Sequence, residues 1–175
     1  MPHGREGGEQ RADDLLDTLK QCVDRLGHYR SLERRVGEQN TKAGLIEPVI
    51  AALGWDVLDP EEVHREYRRR TTDSPIDYAL ILMRMPRLFI EAEAVGENLD
   101  DPRWANQTIS YAAVAGVDWV ALTNGAEWCV WGNGGATAHR NRVGLWPDPL
   151  PGKGLPLALG CRTSGQAPCQ RPQYP

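Results

Sequence analysis

The chain has 175 residues, a net charge of −4, and 41% hydrophobic and 25% charged residues, a composition that suits one soluble domain with a real core. Its acidity excludes tight, nonspecific nucleic-acid binding driven by overall charge, but not a local basic face. No apolar run reaches the length of a membrane span, and the opening Met1-Pro2-His3-Gly4-Arg5-Glu6 lacks the apolar stretch of a signal peptide, so a cytoplasmic protein with no membrane partner is expected.

Residues 1–11 are polar and glycine-rich and read as a flexible tail. From Ala12 to Leu32, Leu15, Leu16, Leu19, Val23 and Leu26 recur at spacings of three and four, which predicts an amphipathic helix. Asp13, Asp14 and Asp17 stand near its start, where the helix dipole favours acids. A second helix is expected from Asn40 or Thr41, through Leu45, Ile46, Val49 and Ile50, to Leu53, with Pro48 as a kink or a late start. Strands follow at 63–69, 76–83 and 87–95, a helix at 101–115, and a hairpin of two further runs, 117–122 and 127–131, around Thr123-Asn124-Gly125. A meander, a helical crossover and a further strand give an α/β domain, a mixed sheet flanked by helices, over residues 12–146. After Trp131 the periodicity fades. The proline-rich stretch 147–175 reads as disordered. Cys22, Cys129, Cys161 and Cys169 form no Cys-x-x-Cys pair and no finger-like spacing with histidine, so free thiols are expected and not a zinc site.

The chemistry concentrates on the second and third strands. Asp77 lies on one, and Glu91 and Glu93, two apart and so on one face, lie on the other. If these strands are neighbours, Asp77 and Glu91 approach each other. Two such carboxyls repel unless a cation sits between them or one keeps its proton. Magnesium suits the first solution, since it is hard, takes oxygen ligands and keeps several waters; the main-chain carbonyl of Ala92 offers a further ligand. Glu47 on the second helix can reach the site from the side. Gln107 and Tyr111, four apart on a helix, share a face and can hydrogen-bond a phosphate or a water. Arg65, Arg68, Arg69 and Arg70 form a basic run, which reads as a charged sheet edge or as a contact to DNA phosphates.

The ordered set Glu47, Pro75-x-Asp77, Glu91-x-Glu93, Gln107-x-x-x-Tyr111 resembles the PD-(D/E)XK nuclease superfamily. The wider blocks Thr41-Lys42-Ala43-Gly44-Leu45-Ile46-Glu47-Pro48, Leu53-Gly54-Trp55-Asp56, Asp77-Tyr78-Ala79-Leu80 and Leu122-Thr123-Asn124-Gly125 are similar to the N-terminal nuclease domain of type I restriction enzyme R subunits, over residues 40–131. The resemblance implies a restriction-endonuclease-like sheet with an α-β-β-β-α-β core and a Mg2+- or Mn2+-dependent DNA endonuclease. Asp77 and Glu91 would hold the metal, Glu47 would assist through water, and Gln107 and Tyr111 would contact substrate. DNA, and restriction-modification subunits, would be its partners. Glu93 departs from the pattern: that position is normally a lysine that orients the attacking water and steadies the phosphate. A glutamate there predicts weak or absent cleavage unless another cation does that work, and Lys42 is the nearby lysine; Arg84 and Arg87 are further options. The alternative is a catalytically inactive nuclease-fold module for DNA binding or assembly, and a third reading is a truncated remnant. No Gly-x-x-x-x-Gly-Lys phosphate loop is present, so no motor is expected.

Overall fold

The computed structural model describes residues 6–100, 112, 114–132 and 140–144. Helix α1 (Glu6–Ser31) is the long amphipathic helix expected. It starts before Ala12, inside the stretch read as a tail, because a nucleated helix adds a hydrogen bond with each residue that joins it. Cys22 and Leu26 are fully buried on its inner face, and Leu19 and Val23 pack beside them against Leu45, Val49 and Ala126. Cys22 and Cys129 are buried and form no disulfide with each other; Cys161 and Cys169 lie outside the described residues.

Helix α2 (Glu38–Thr41), a π-helical turn (Lys42–Ile46) and helix α3 (Glu47–Ala52) follow one another without a break. The cause of the irregularity is legible in Pro48. A proline has no N–H to give the carbonyl four residues back, which here belongs to Gly44. Arg25 of α1 supplies the missing donor through its guanidinium Nη1. Gly44 itself leaves no room for a side chain, since a Cβ there would run into the Tyr29 ring.

Six strands form one sheet in the order β1 (Val63–Tyr67), β2 (Ile76–Leu82), β3 (Met85–Ala92), β4 (Trp119–Thr123), β5 (Glu127–Gly132) and β6 (Arg140–Gly144). All neighbours are antiparallel except β3 and β4, which are parallel. The protein is thus a mixed α/β structure, with the three-strand meander and the Asn-Gly hairpin in the expected order; the crossover helix expected at 101–115 lies largely outside the described residues. Two details differ from the sequence reading. Strand β3 ends at Ala92, so Glu93 stands just past it, though its N–H still donates to Thr123 O at 2.7 Å. Strand β6 was not expected, because Arg-Asn-Arg-Val-Gly alternates no apolar residues; main-chain pairing with β5 makes it a strand.

The sheet is covered on both faces. Ile46 and Ile50 pack with Tyr78, Leu80, Ile90 and Ala121 on one. Leu99, Ala112 and Val117 pack with Ala79, Phe89, Val120 and Leu122 on the other. At the β4–β5 turn, Asn124 is 5% exposed. Its Oδ1 accepts the N–H groups of Ala126 and Glu127 at 3.0 and 2.9 Å, and its Nδ2 donates to Glu97 O at 2.9 Å. Next to it Gly125 has φ +78°, and a Cβ there would stand 2.7 Å from Leu45 Cβ. Gly125→Ala should therefore cost about 2 kcal/mol, from left-handed strain and overpacking together. Urea denaturation checks this, and an unchanged midpoint would mean that the turn and the helix are not in contact.

Candidate functional site

The sheet register builds the site. Tyr78 pairs with Ile90 and Ala79 with Phe89, so Asp77 and Glu91, one step further along, stand opposite each other. Both share the face of Ala79 and Phe89, because side chains alternate along a strand. Their carboxyl groups are close enough for each to act on the other's charge. Burial, then the charge of Asp77, pushes the Glu91 carboxyl up to about 8. Burial and the facing charge favour the second of the two solutions open to close carboxyls, a retained proton, and a cation between them would supply the first.

The helical stretch contributes the one ammonium. Lys42, 6% exposed, places Nζ 2.5 Å from Asp77 Oδ1 and 2.6 Å from Glu38 Oε1. Burial works against its charge, but the hydrogen bonds and charges of Asp77 and Glu38 outweigh it, and the pKa stands above the ordinary lysine value. Asp77 Oδ2 accepts the Ala92 N–H at 2.8 Å. Both oxygens of Asp77 are thereby fixed, one by the strand and one by the helix. An ammonium has three donors, so one N–H of Lys42 remains beyond its two carboxylate partners. Thr41 holds the helix to the end of the sheet, its Oγ1 accepting the Val95 N–H at 3.1 Å.

Glu93 belongs to the same electrostatic group. Burial, then the charges of Glu38 and Asp77, raise its carboxyl to about 6, with Lys42 acting in the opposite sense. Glu47 is engaged elsewhere. Its Oε1 accepts the Tyr78 hydroxyl and Arg65 Nε, each at 3.0 Å. Tyr78 points to the sheet face opposite Asp77, and burial with the charge of Glu47 raises its phenol far above the usual range. Gln107 and Tyr111 lie outside the described residues. Arg87 pairs with Asp118 at 3.0 Å. It and Arg84 stand by the β2–β3 turn, at the opposite end of the sheet.

Glu38 is the residue that sequence reasoning passed over. Its signal was present: a glutamate four residues before Lys42 is the favourable helical ion-pair spacing. Among the described residues no three histidine, cysteine, aspartate or glutamate side chains are grouped closely enough to hold an ion. Magnesium, however, commonly takes one or two protein carboxylates and completes its shell with water and phosphate oxygens. Asp77 and Glu91 suit that role by donor chemistry. They are two facing hard-oxygen groups, and a divalent cation between them would favour the ionised form of both.

No family model, no curated protein and no solved structure matches the chain. Among the described residues, no helix is long and apolar enough to cross a membrane.

Proposed function

We propose that the chain is a metal-dependent DNA endonuclease of restriction type, with the PD-(D/E)XK arrangement on a restriction-endonuclease-like sheet and Lys42 in place of the lysine that Glu93 displaces. One observation carries the reading: Asp77 and Glu91 face each other on neighbouring strands with the Lys42 ammonium 2.5 Å from Asp77. Asp77 and Glu91 would hold Mg2+ or Mn2+, which when bound polarises a phosphoryl oxygen and lowers the pKa of a coordinated water. Lys42, anchored by two carboxylates, presents its remaining N–H to the attacking water or to the phosphate, where charge develops. Glu38 positions Lys42. Glu47 positions Tyr78 and Arg65 from the other face, and restriction-modification subunits are the natural partners of such a domain.

The test is nicking of supercoiled plasmid with Mg2+ or Mn2+, by wild type and by Asp77→Ala. Nicking by the wild type that disappears in Asp77→Ala is the expected result. Equal nicking by both would end the proposal. A second reading, an inactive module that binds DNA, is favoured by the crowding of Glu38, Asp77 and Glu93 around one lysine. Its mark would be a wild type that shifts DNA in a gel but cuts only after Glu93→Lys.

A further inference from the structure

Resting on the nuclease reading, we infer that two pairs of arginines, Arg68 with Arg70 and Arg30 with Arg34, bracket the Asp77–Glu91–Lys42 cluster and grip one DNA strand on either side of the cleaved bond. The topology places all of them at one end of the sheet. Strand β1 arrives there at Tyr67, which pairs with Ile76 at the start of β2. The 68–75 loop, with Arg68 and Arg70 exposed, is therefore next to Asp77. Strands β3 and β4 both finish at this end, where Ala92 pairs with Thr123. Ligands of α/β sheets settle in the crevice beyond the carboxyl ends of parallel strands.

Beyond β4 and β5 that crevice is a cavity of about 610 Å3, lined by Arg30 and Arg34 together with Val95, Asn98 and Asn124. Val95 is two residues from Glu93, so the cavity begins within about 7 Å of the cluster along the main chain. Arg35, on the same rim, is tied to Glu97. Arg30, Arg34, Arg68 and Arg70 have no carboxylate partner among the described residues. Glu33 and Glu127 also line the cavity, so these arginines act as individual phosphate grips and not through a general basic field.

The spacing suits a nucleic-acid strand. Neighbouring strands of a sheet lie ~4.8 Å apart, so β1 and β5 are separated by roughly 19 Å. A DNA strand rises ~3.4 Å per nucleotide, so the width of the sheet from β1 to β5, with the carboxyl cluster between them, matches about five or six nucleotides.

Fluorescence anisotropy of a labelled DNA duplex, in EDTA and over a series of salt concentrations, tests the track without requiring cleavage. Arg68→Ala/Arg70→Ala and Arg30→Ala/Arg34→Ala should each lower the slope of log affinity against log salt by about 2. Arg87→Ala, at the far end of the sheet, should leave it unchanged. Equal losses in all three proteins, or in none, would overturn the track. If the wild type still nicks plasmid in that case, only the track falls; a wild type that neither binds nor nicks takes the nuclease reading with it.

Discussion

Lys42→Ala should lower plasmid nicking by about 100-fold or more, the usual consequence of removing a donor aimed at developing phosphate charge. The substitution also strips the ammonium from Asp77, whose side chain is only 15% exposed, and breaking a partly buried pair destabilises the fold. A loss of activity alone would therefore be ambiguous. The double variant Lys42→Ala/Glu93→Lys separates the two effects, because it returns an ammonium to the cluster from the end of β3. Partial recovery of nicking in the double variant, with a circular dichroism spectrum like that of the wild type, is the expected result. Full activity in Lys42→Ala would show that the lysine serves only to hold the helix against the sheet.

The second large effect is on stability. In the unfolded chain Glu91 loses its proton near the ordinary glutamate value of 4.5, whereas in the folded protein it keeps it to about 8. The folded state binds the extra proton between those limits. The associated stability is complete below the unfolded value, falls as the pH rises, and is gone once the pH passes about 8. A displacement of that size corresponds to on the order of 5 kcal/mol. Glu91→Gln removes the titration but keeps the shape. Against wild type in EDTA, the variant should gain relative stability between pH 5 and pH 9, read from urea midpoints. Parallel pH profiles for the two proteins would refute the buried proton. Glu93, raised to about 6, adds a shallower slope of the same sign to both proteins.

The parts of this arrangement that were legible in the sequence are those fixed by a short period. Alternation put Glu91 and Glu93 on one face, and the short gap between the runs 76–83 and 87–95 made their pairing, and so the meeting of Asp77 with Glu91, the natural expectation. The same logic identified the hairpin at Asn124-Gly125. What sequence reasoning could not supply came from contacts between elements distant in the chain. Lys42 stood out only as a nearby lysine; its meeting with Asp77 depends on how the helical stretch docks, which Thr41, Gly44 and Gly125 decide together. Glu47 was expected to lean toward the metal pair, but Tyr78 and Arg65 compete for its carboxylate. Strand β6 has no pattern of its own and exists through its neighbour.

The parallel junction between β3 and β4 carries a kinetic consequence. The β1–β2–β3 meander closes through short loops, so Asp77 and Glu91 can meet early in folding. The β3–β4 ladder must wait until the whole stretch from 93 to 118 has crossed over, and its loop-closure entropy delays it. A chain caught between these events already holds two carboxyls face to face with β3 exposed along one side. That half-assembled sheet is the species most open to pairing with another copy, and refolding yield should fall with rising protein concentration for that reason.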